Sequence, residues 1–150
     1  MREHTIEVIA RAIVTDDTKT KMLFCAPKDT SYFYLPGGHV EFGETAKVAL
    51  ARELYEETGV DTGTAEFHFA GTAENIFMQE NAPHHEINLY FEMGGAVFGN
   101  GEVISLEEDI SFHWLALTDI PNLHVLPEEA KSFLSEWTSS FSGKKISWET

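Results

Sequence analysis

A chain of 150 residues can bury a full core but is short for two, so one domain over residues 1–150 is expected. Hydrophobic residues at 43% are too many for a disordered chain, and no apolar run reaches the roughly 18 residues of a membrane span. Asp plus Glu outnumber Lys plus Arg by 25 to 10, and the net charge of −15 repels a phosphate backbone, which excludes generic nucleic-acid binding.

In chain order, Met1-Arg2-Glu3-His4 carries no signal-peptide core, so a cytoplasmic protein is expected. Residues 5–15 are dominated by Ile, Val and Ala, Asp16-Asp17-Thr18 supplies a turn, and 21–26 is a second apolar run: an opening β-hairpin. Cys25, the single cysteine, excludes a disulfide framework and any multi-cysteine zinc site, and its apolar run makes it a small core residue. After the breaker Pro36-Gly37-Gly38, residues 45–58 have helix-forming composition, with Gly59 in the place of a C-cap. Residues 65–79, with Phe67 and Phe69 on one side, and 86–98, with Ile87, Leu89, Phe91 and Met93, read as two half-buried strands. A shorter strand covers 111–117, and a terminal helix runs over 127–141, starting at a proline suited to a first helical turn. The segment 139–150 reads as a loosely held tail from which Ile146 and Trp148 could pack back on the body.

The first helix carries an unusual load. At about 100° per residue, Glu53, Glu56 and Glu57 fall within roughly 100° of one another, so three carboxylates share one stripe with Ala46, Ala49 and Leu50 on or beside it. A plain solvent face would not be so apolar at its margins. The expected arrangement is a helix clasped on two apolar edges, Leu50 with Leu54 and Val48 with Tyr55, its acidic stripe lining a cleft. Mutual repulsion of this kind is tolerable where a hard cation collects the oxygens, and Mg²⁺ favours a few carboxylates plus waters and phosphate oxygens. Gly37 and Gly38, just before the helix, would let backbone carbonyls approach such an ion or a phosphate.

Read together, Gly38, Glu44, Arg52-Glu53-Leu54, Glu56-Glu57 and Gly59-Val60 stand at spacings that match the Nudix box throughout, and the segment from Gly38 to Val60 resembles it without a mismatch. The strands on either side and the terminal helix are similar to the rest of a Nudix domain. The resemblance implies an α/β/α sandwich around a mixed β-sheet and hydrolysis of a nucleoside diphosphate linked to another moiety. It implies Mg²⁺ as cofactor, with Mn²⁺ able to substitute, and a small-molecule partner rather than a membrane; a homodimer is compatible with it. Carried onto this chain, Glu56 and Glu57 are the principal metal ligands, and Glu53 is a further ligand or the general base. Arg52 orients a neighbouring glutamate, Glu44 is either a ligand of an additional metal or a partner of Arg52, and the Gly37 carbonyl is an extra ligand. A nucleotide-sensing module or a Nudix-fold isomerase is the alternative function. The intact glutamate set speaks against the first, and the isomerase would need a reactive cysteine near the box.

Outside the box the signals are weaker. Glu107, Glu108 and Asp109, in the loop before the strand 111–117, are the candidates for a distant acidic residue competing with Glu53 as base; His113 stands before Trp114, where some relatives carry a glutamate. His84 and His85 would point to opposite sides of a strand and make a poor chelate, so a surface turn is expected there. Phe33, Tyr34 and Phe77 either pack in the core or stack on a nucleobase, with Phe77 carried as a substrate contact. Asn75-Ile76-Phe77-Met78 matches neither the downstream proline nor the tyrosine that mark particular subfamilies, so the leaving group is open.

Overall fold

The computed structural model describes residues 4–99 and 101–139. Strand β1 (Ile6–Thr15) leads into a turn that Asp16 closes by itself, its carboxylate accepting from the backbone N–H of Thr20 at 2.9 Å and of Lys21 at 3.0 Å, and β2 (Lys21–Pro27) follows. The expected hairpin forms only at its tip. The register pairs Thr15 with Met22, after which the strands part and residues 33–37 enter between them. Tyr34 bridges to Cys25 on one side, and the Ala12 N–H donates to the Pro36 carbonyl at 2.8 Å on the other. The short strand β3 (Gly37–His39) then pairs antiparallel with β1. The opening between β1 and β2 is the place from which the carboxylate helix is presented.

Two longer strands, β4 (His68–Gln79) and β5 (Ala82–Gly94), form a hairpin through Glu80 and Asn81, whose φ values of 51° and 63° make a tight left-handed turn. This corrects two expectations. His84 and His85 lie inside β5 rather than in a surface turn, and the strand stops at Gly94, leaving Ala96–Phe98 as a short 3-10 turn. Phe67 precedes β4 and is buried in the core under α1, while Phe69, inside the strand and next to a bulge at Gly71, is exposed. β5 pairs in parallel with β1, β2 pairs antiparallel along its length with β6 (Ile110–Ala116), and the mixed sheet has the order β4-β5-β1-β2-β6.

Helices cover both faces, as the sandwich expectation requires. α1 (Ala46–Thr58) sets Leu50 and Leu54 against Ala10, Ala12, Leu23, Phe91 and Met93. α2 (Glu128–Ser139) sets Ala130, Leu134 and Trp137 against Ile13, Met22, Phe24 and Tyr90 on the other face. Covered on both sides, β5 buries Tyr90, Phe91 and Met93 together, where a half-buried alternation was expected. The Phe133 ring stacks on Tyr90 at 4.7 Å and occupies the space a side chain at Gly71 would need.

The Thr45 hydroxyl caps α1 by accepting from the Val48 N–H at 3.2 Å, and Gly59 closes it with φ of 73°. The expected double clasp is not there: Leu50 and Leu54 are fully buried, but Val48 and Tyr55 are more than half exposed, because a helix riding on a sheet buries one stripe and leaves the opposite edge to water. The terminal helix begins at Glu128, one residue after the expected proline. The segment 140–150, with Ile146 and Trp148, lies outside the described residues.

Candidate active site

The helix face that carries Glu53 and Glu57 packs over β3, and the local chain leaves it no side chains to meet. A Cβ on Gly38 would overlap the Glu53 carboxylate, and one on Gly37, whose φ is 141°, would run into the Ala10 carbonyl. Gly38 therefore sits directly under the Glu53 carboxylate, and Gly37 lies close against the β1 backbone.

Arg52 organises the carboxylates. Its Nη2 and Nε donate to the two oxygens of Glu44 at 2.7 and 3.1 Å, its Nη1 donates to Glu53 at 3.0 Å and reaches Glu56 at 3.4 Å, and Nη2 also donates to the His39 carbonyl at 3.0 Å. Glu44 further accepts from the Glu41 N–H at 2.8 Å. The hydrogen bond from Arg52 holds the Glu44 carboxyl below the usual carboxylate range.

Glu57 is different in kind. It is 7% exposed, and its Oε2 has no hydrogen-bond partner. Burial, together with the negative charges of Glu53 and Glu107, pushes its pKa up to about 8. Glu53 is also raised, by burial first, with Arg52 opposing. Glu56 remains more than half exposed.

The loop before β6 is tied to this helix. The Leu106 N–H donates to the Glu57 carbonyl at 2.8 Å, and Glu107 lies close enough for its charge to act on Glu57, Cys25 and Tyr34. Glu108 and Asp109 are exposed. His113 pairs with Phe24 in the β2–β6 register, which sets it on the α2 face, and it hydrogen-bonds Ser111 at 2.7 Å. Cys25 is buried, and desolvation drives its thiol far above the range in which a thiolate forms.

On the α2 side of the sheet lies a cavity of about 530 Å³, lined by Arg11, Tyr34, Asn75, Phe77, Glu86 and Glu129 among others. Phe77 belongs to this cavity, where it stacks on His84 at 5.1 Å; Gly37 and Gly38 do not line it. Arg11 connects the two regions. Its Nη1 donates to the Leu35 carbonyl at 3.1 Å, its guanidinium lies 5.6 Å from the centre of the Tyr34 ring, and its positive charge acts on Glu57. The sequence reading gave no binding role to Arg11, Asn75 or Glu86; the available signal was an arginine in the otherwise apolar run from Val8 to Val14. His85 faces the other way and pairs with Glu74 at 2.8 Å. Phe33 packs edge-on against Phe24, in the core.

The residues present suit a hard divalent cation. Among the described residues no three His, Cys, Asp or Glu side chains converge into a closed cage. Mg²⁺ needs none, since it takes one or two carboxylates and fills its octahedron with waters and phosphate oxygens. The unpartnered buried oxygen of Glu57 and the bare Gly38 beneath Glu53 are what such an ion would use.

The family model for the NUDIX domain matches residues 6–138. Solved structures with the same fold include the MutT protein from Methanosarcina mazei Go1, with 22% identity, TM-score 0.73, and coverage of 95% of this chain and 100% of that one. The dihydroneopterin triphosphate pyrophosphohydrolase of E. coli aligns at 16% identity and TM-score 0.70 over 89% of this chain and 95% of that one. The C. elegans Ap4A hydrolase aligns at 17% identity and TM-score 0.66 over 91% and 98%. At these identities the structures speak for the fold. The family match covers most of the chain, and the chain belongs to the NUDIX domain family. It is a pyrophosphohydrolase of that class.

Proposed function

We propose that this protein is a Mg²⁺-dependent hydrolase of a nucleoside diphosphate linked to another moiety. The observation that carries the reading is Glu57: a carboxylate buried with an unpartnered oxygen, next to the charge of Glu53, which itself lies over Gly38, is costly unless a cation or substrate uses it. A binding module that never meets a cation has no use for that cost. The isomerase alternative lacks its reactive thiol, because Cys25 is buried in β2 and held protonated.

In this reading Glu56 and Glu57 hold the metal, with the Gly37 carbonyl as an extra ligand and Glu53 as a further ligand or the base. Bound there, Mg²⁺ would neutralise the diphosphate oxygens and make phosphorus open to attack by water. The chain's own groups do the rest. Glu53, raised by burial, takes the proton of the attacking water, and Arg52 fixes the direction of its carboxylate. Glu44, gripped at both oxygens by Arg52, is a positioning residue in this arrangement rather than a ligand of an additional metal. Glu107 is the competing base, supported by its charge acting on Glu57 from the adjoining loop. Arg11 faces the substrate from the opposite side of the sheet opening and supplies a fixed positive charge.

The partner is a small molecule, and a free, buried cysteine suits a reducing cytoplasmic setting. The test is a panel of nucleoside triphosphates, nucleotide sugars, ADP-ribose, dinucleoside polyphosphates and coenzyme A, incubated with Mg²⁺ and followed by phosphate release after phosphatase coupling. Cleavage of at least one member, abolished by EDTA, is expected; inertness across the panel would reject the hydrolase.

A further inference from the structure

We infer that the cavity on the α2 side binds the organic moiety of the substrate and selects a heterocycle with a carbonyl, a ring N–H and an exocyclic amino group in a row, the edge shared by guanine and pterin rings, through Asn75 and Glu86. The inference rests on the hydrolase reading of the α1 carboxylates, since Arg11 lines the cavity and donates to the Leu35 carbonyl, two residues before Gly37.

Asn75 and Glu86 are direct partners across β4 and β5, so their side chains stand next to each other on one face. Neither side chain hydrogen-bonds to another described residue, although Asn75 is only 9% exposed. A carboxylate has two acceptor oxygens and fits two parallel N–H donors; the adjacent amide can donate to a carbonyl. Guanine and pterin present that sequence of groups. Adenine and cytosine present a ring lone pair beside the amino group, which would face a carboxylate oxygen and be repelled.

The surroundings support this occupant. Tyr32, Tyr34 and Phe77 line the cavity and offer aromatic faces for a flat ring. Its charged lining is Glu86, Glu128 and Glu129 against Arg11 alone, so a moiety ending in a second phosphate is disfavoured and a neutral ring rich in donors is favoured. Beneath the same floor, Asn88 and Tyr90 follow Glu86 at alternate positions of β5, both fully buried. Neither amide atom of Asn88 nor the Tyr90 hydroxyl has a hydrogen-bond partner, and that hydroxyl feels the charges of Arg11, Glu129 and Glu86, three groups of the cavity wall.

Equilibrium binding in EDTA separates this inference from the chemistry at α1. Calorimetric titration of the intact protein with GMP, neopterin monophosphate, IMP, AMP and CMP should show GMP or neopterin monophosphate bound at least about tenfold tighter than IMP, which lacks the amino group, and than AMP or CMP. The tighter of the two identifies the ring system. Glu86→Gln, checked for an unchanged melting profile, should bring the preference to near unity. The assignment is overturned if the nucleotides bind within about threefold of one another, if none binds at millimolar concentration, or if the preference survives in both Glu86→Gln and Asn75→Ala. Ring selectivity without any hydrolysis would reject the hydrolase reading alone, and hydrolysis without ring selectivity would reject the cavity assignment alone.

Discussion

Arg52 and Glu44 are joined at two points, Nη2 to Oε1 at 2.7 Å and Nε to Oε2 at 3.1 Å, and the remaining nitrogen of the guanidinium reaches Glu53 at 3.0 Å. One planar cation thereby fixes the carboxylate before the helix and the carboxylate on it in a single frame. A lysine has the charge but not the fork. Arg52→Lys should therefore lower kcat about tenfold to a hundredfold with little change in KM. Glu44→Gln should act in the same direction, and the double variant should be little worse than either single one. Steady-state kinetics on the three proteins check this; strictly additive losses would show that the two residues do separate work.

Glu57 and Glu56 carry the heaviest expected losses. Replacing either with Gln keeps the shape and removes a charge from the ligand set, so turnover should fall on the order of a hundredfold or more in each. Near-normal rates in both variants would reject the assignment of the site.

The identity of the base is decided by comparing Glu53→Gln with Glu107→Gln. Glu53, half-buried and raised by desolvation, is the expected base: its variant should bind Mg²⁺ and substrate almost as wild type does while turnover collapses. Glu107→Gln should lose far less. A collapse in Glu107→Gln beside a mild effect in Glu53→Gln reverses the roles.

Stability should report the same carboxylates. Glu57 is raised from 4.5 to about 8 in the folded protein, so folding favours its neutral form. Its contribution is fully present below the unfolded value and is lost as pH rises through the folded one. In metal-free buffer the melting temperature should decline between about pH 5 and about pH 8.5, and Glu57→Gln should flatten that decline and melt higher at the alkaline end. Saturating Mg²⁺ at a hundredfold excess over Kd adds about 2.7 kcal/mol, or roughly 5–10 °C at this size, where Na⁺ at equal ionic strength does much less. The variant should lose most of that shift. If it is destabilised without metal and keeps the full Mg²⁺ shift, the acidic stripe is structural.

The carboxylate helix was legible because everything that makes it is local. Thr45 and Gly59 cap it through bonds within a few residues, and the coincidence of Glu53, Glu56 and Glu57 on one stripe follows from helical geometry alone. The spacing from Gly38 to Val60 then identified the family from sequence. Cys25, alone in an apolar run, was read correctly as core for the same reason.

Other features had no local signal. Glu80-Asn81 makes the β4–β5 turn with Asn81 as its single turn-forming residue and no glycine, so the gap between the two expected strands extended to His84-His85. Which edge of α1 is covered depends on the sheet beneath it, and Val48 and Tyr55 have the same hydrophobicity whether buried or exposed.

The sequence by itself determined a NUDIX chain, its carboxylate helix and the bare glycines beside it, because motif spacing and helical periodicity act over a few residues. Only the tertiary structure decided that β1 parts from β2 after one register pair and that its other edge lies parallel with β5 along its whole length. That pairing places Arg11 opposite Tyr90 and lets Asn75, Glu86 and the start of α2 enclose one cavity. Contacts between strands about 80 residues apart close long loops and are stabilised by packing on both sheet faces, a balance that no short stretch of the chain records.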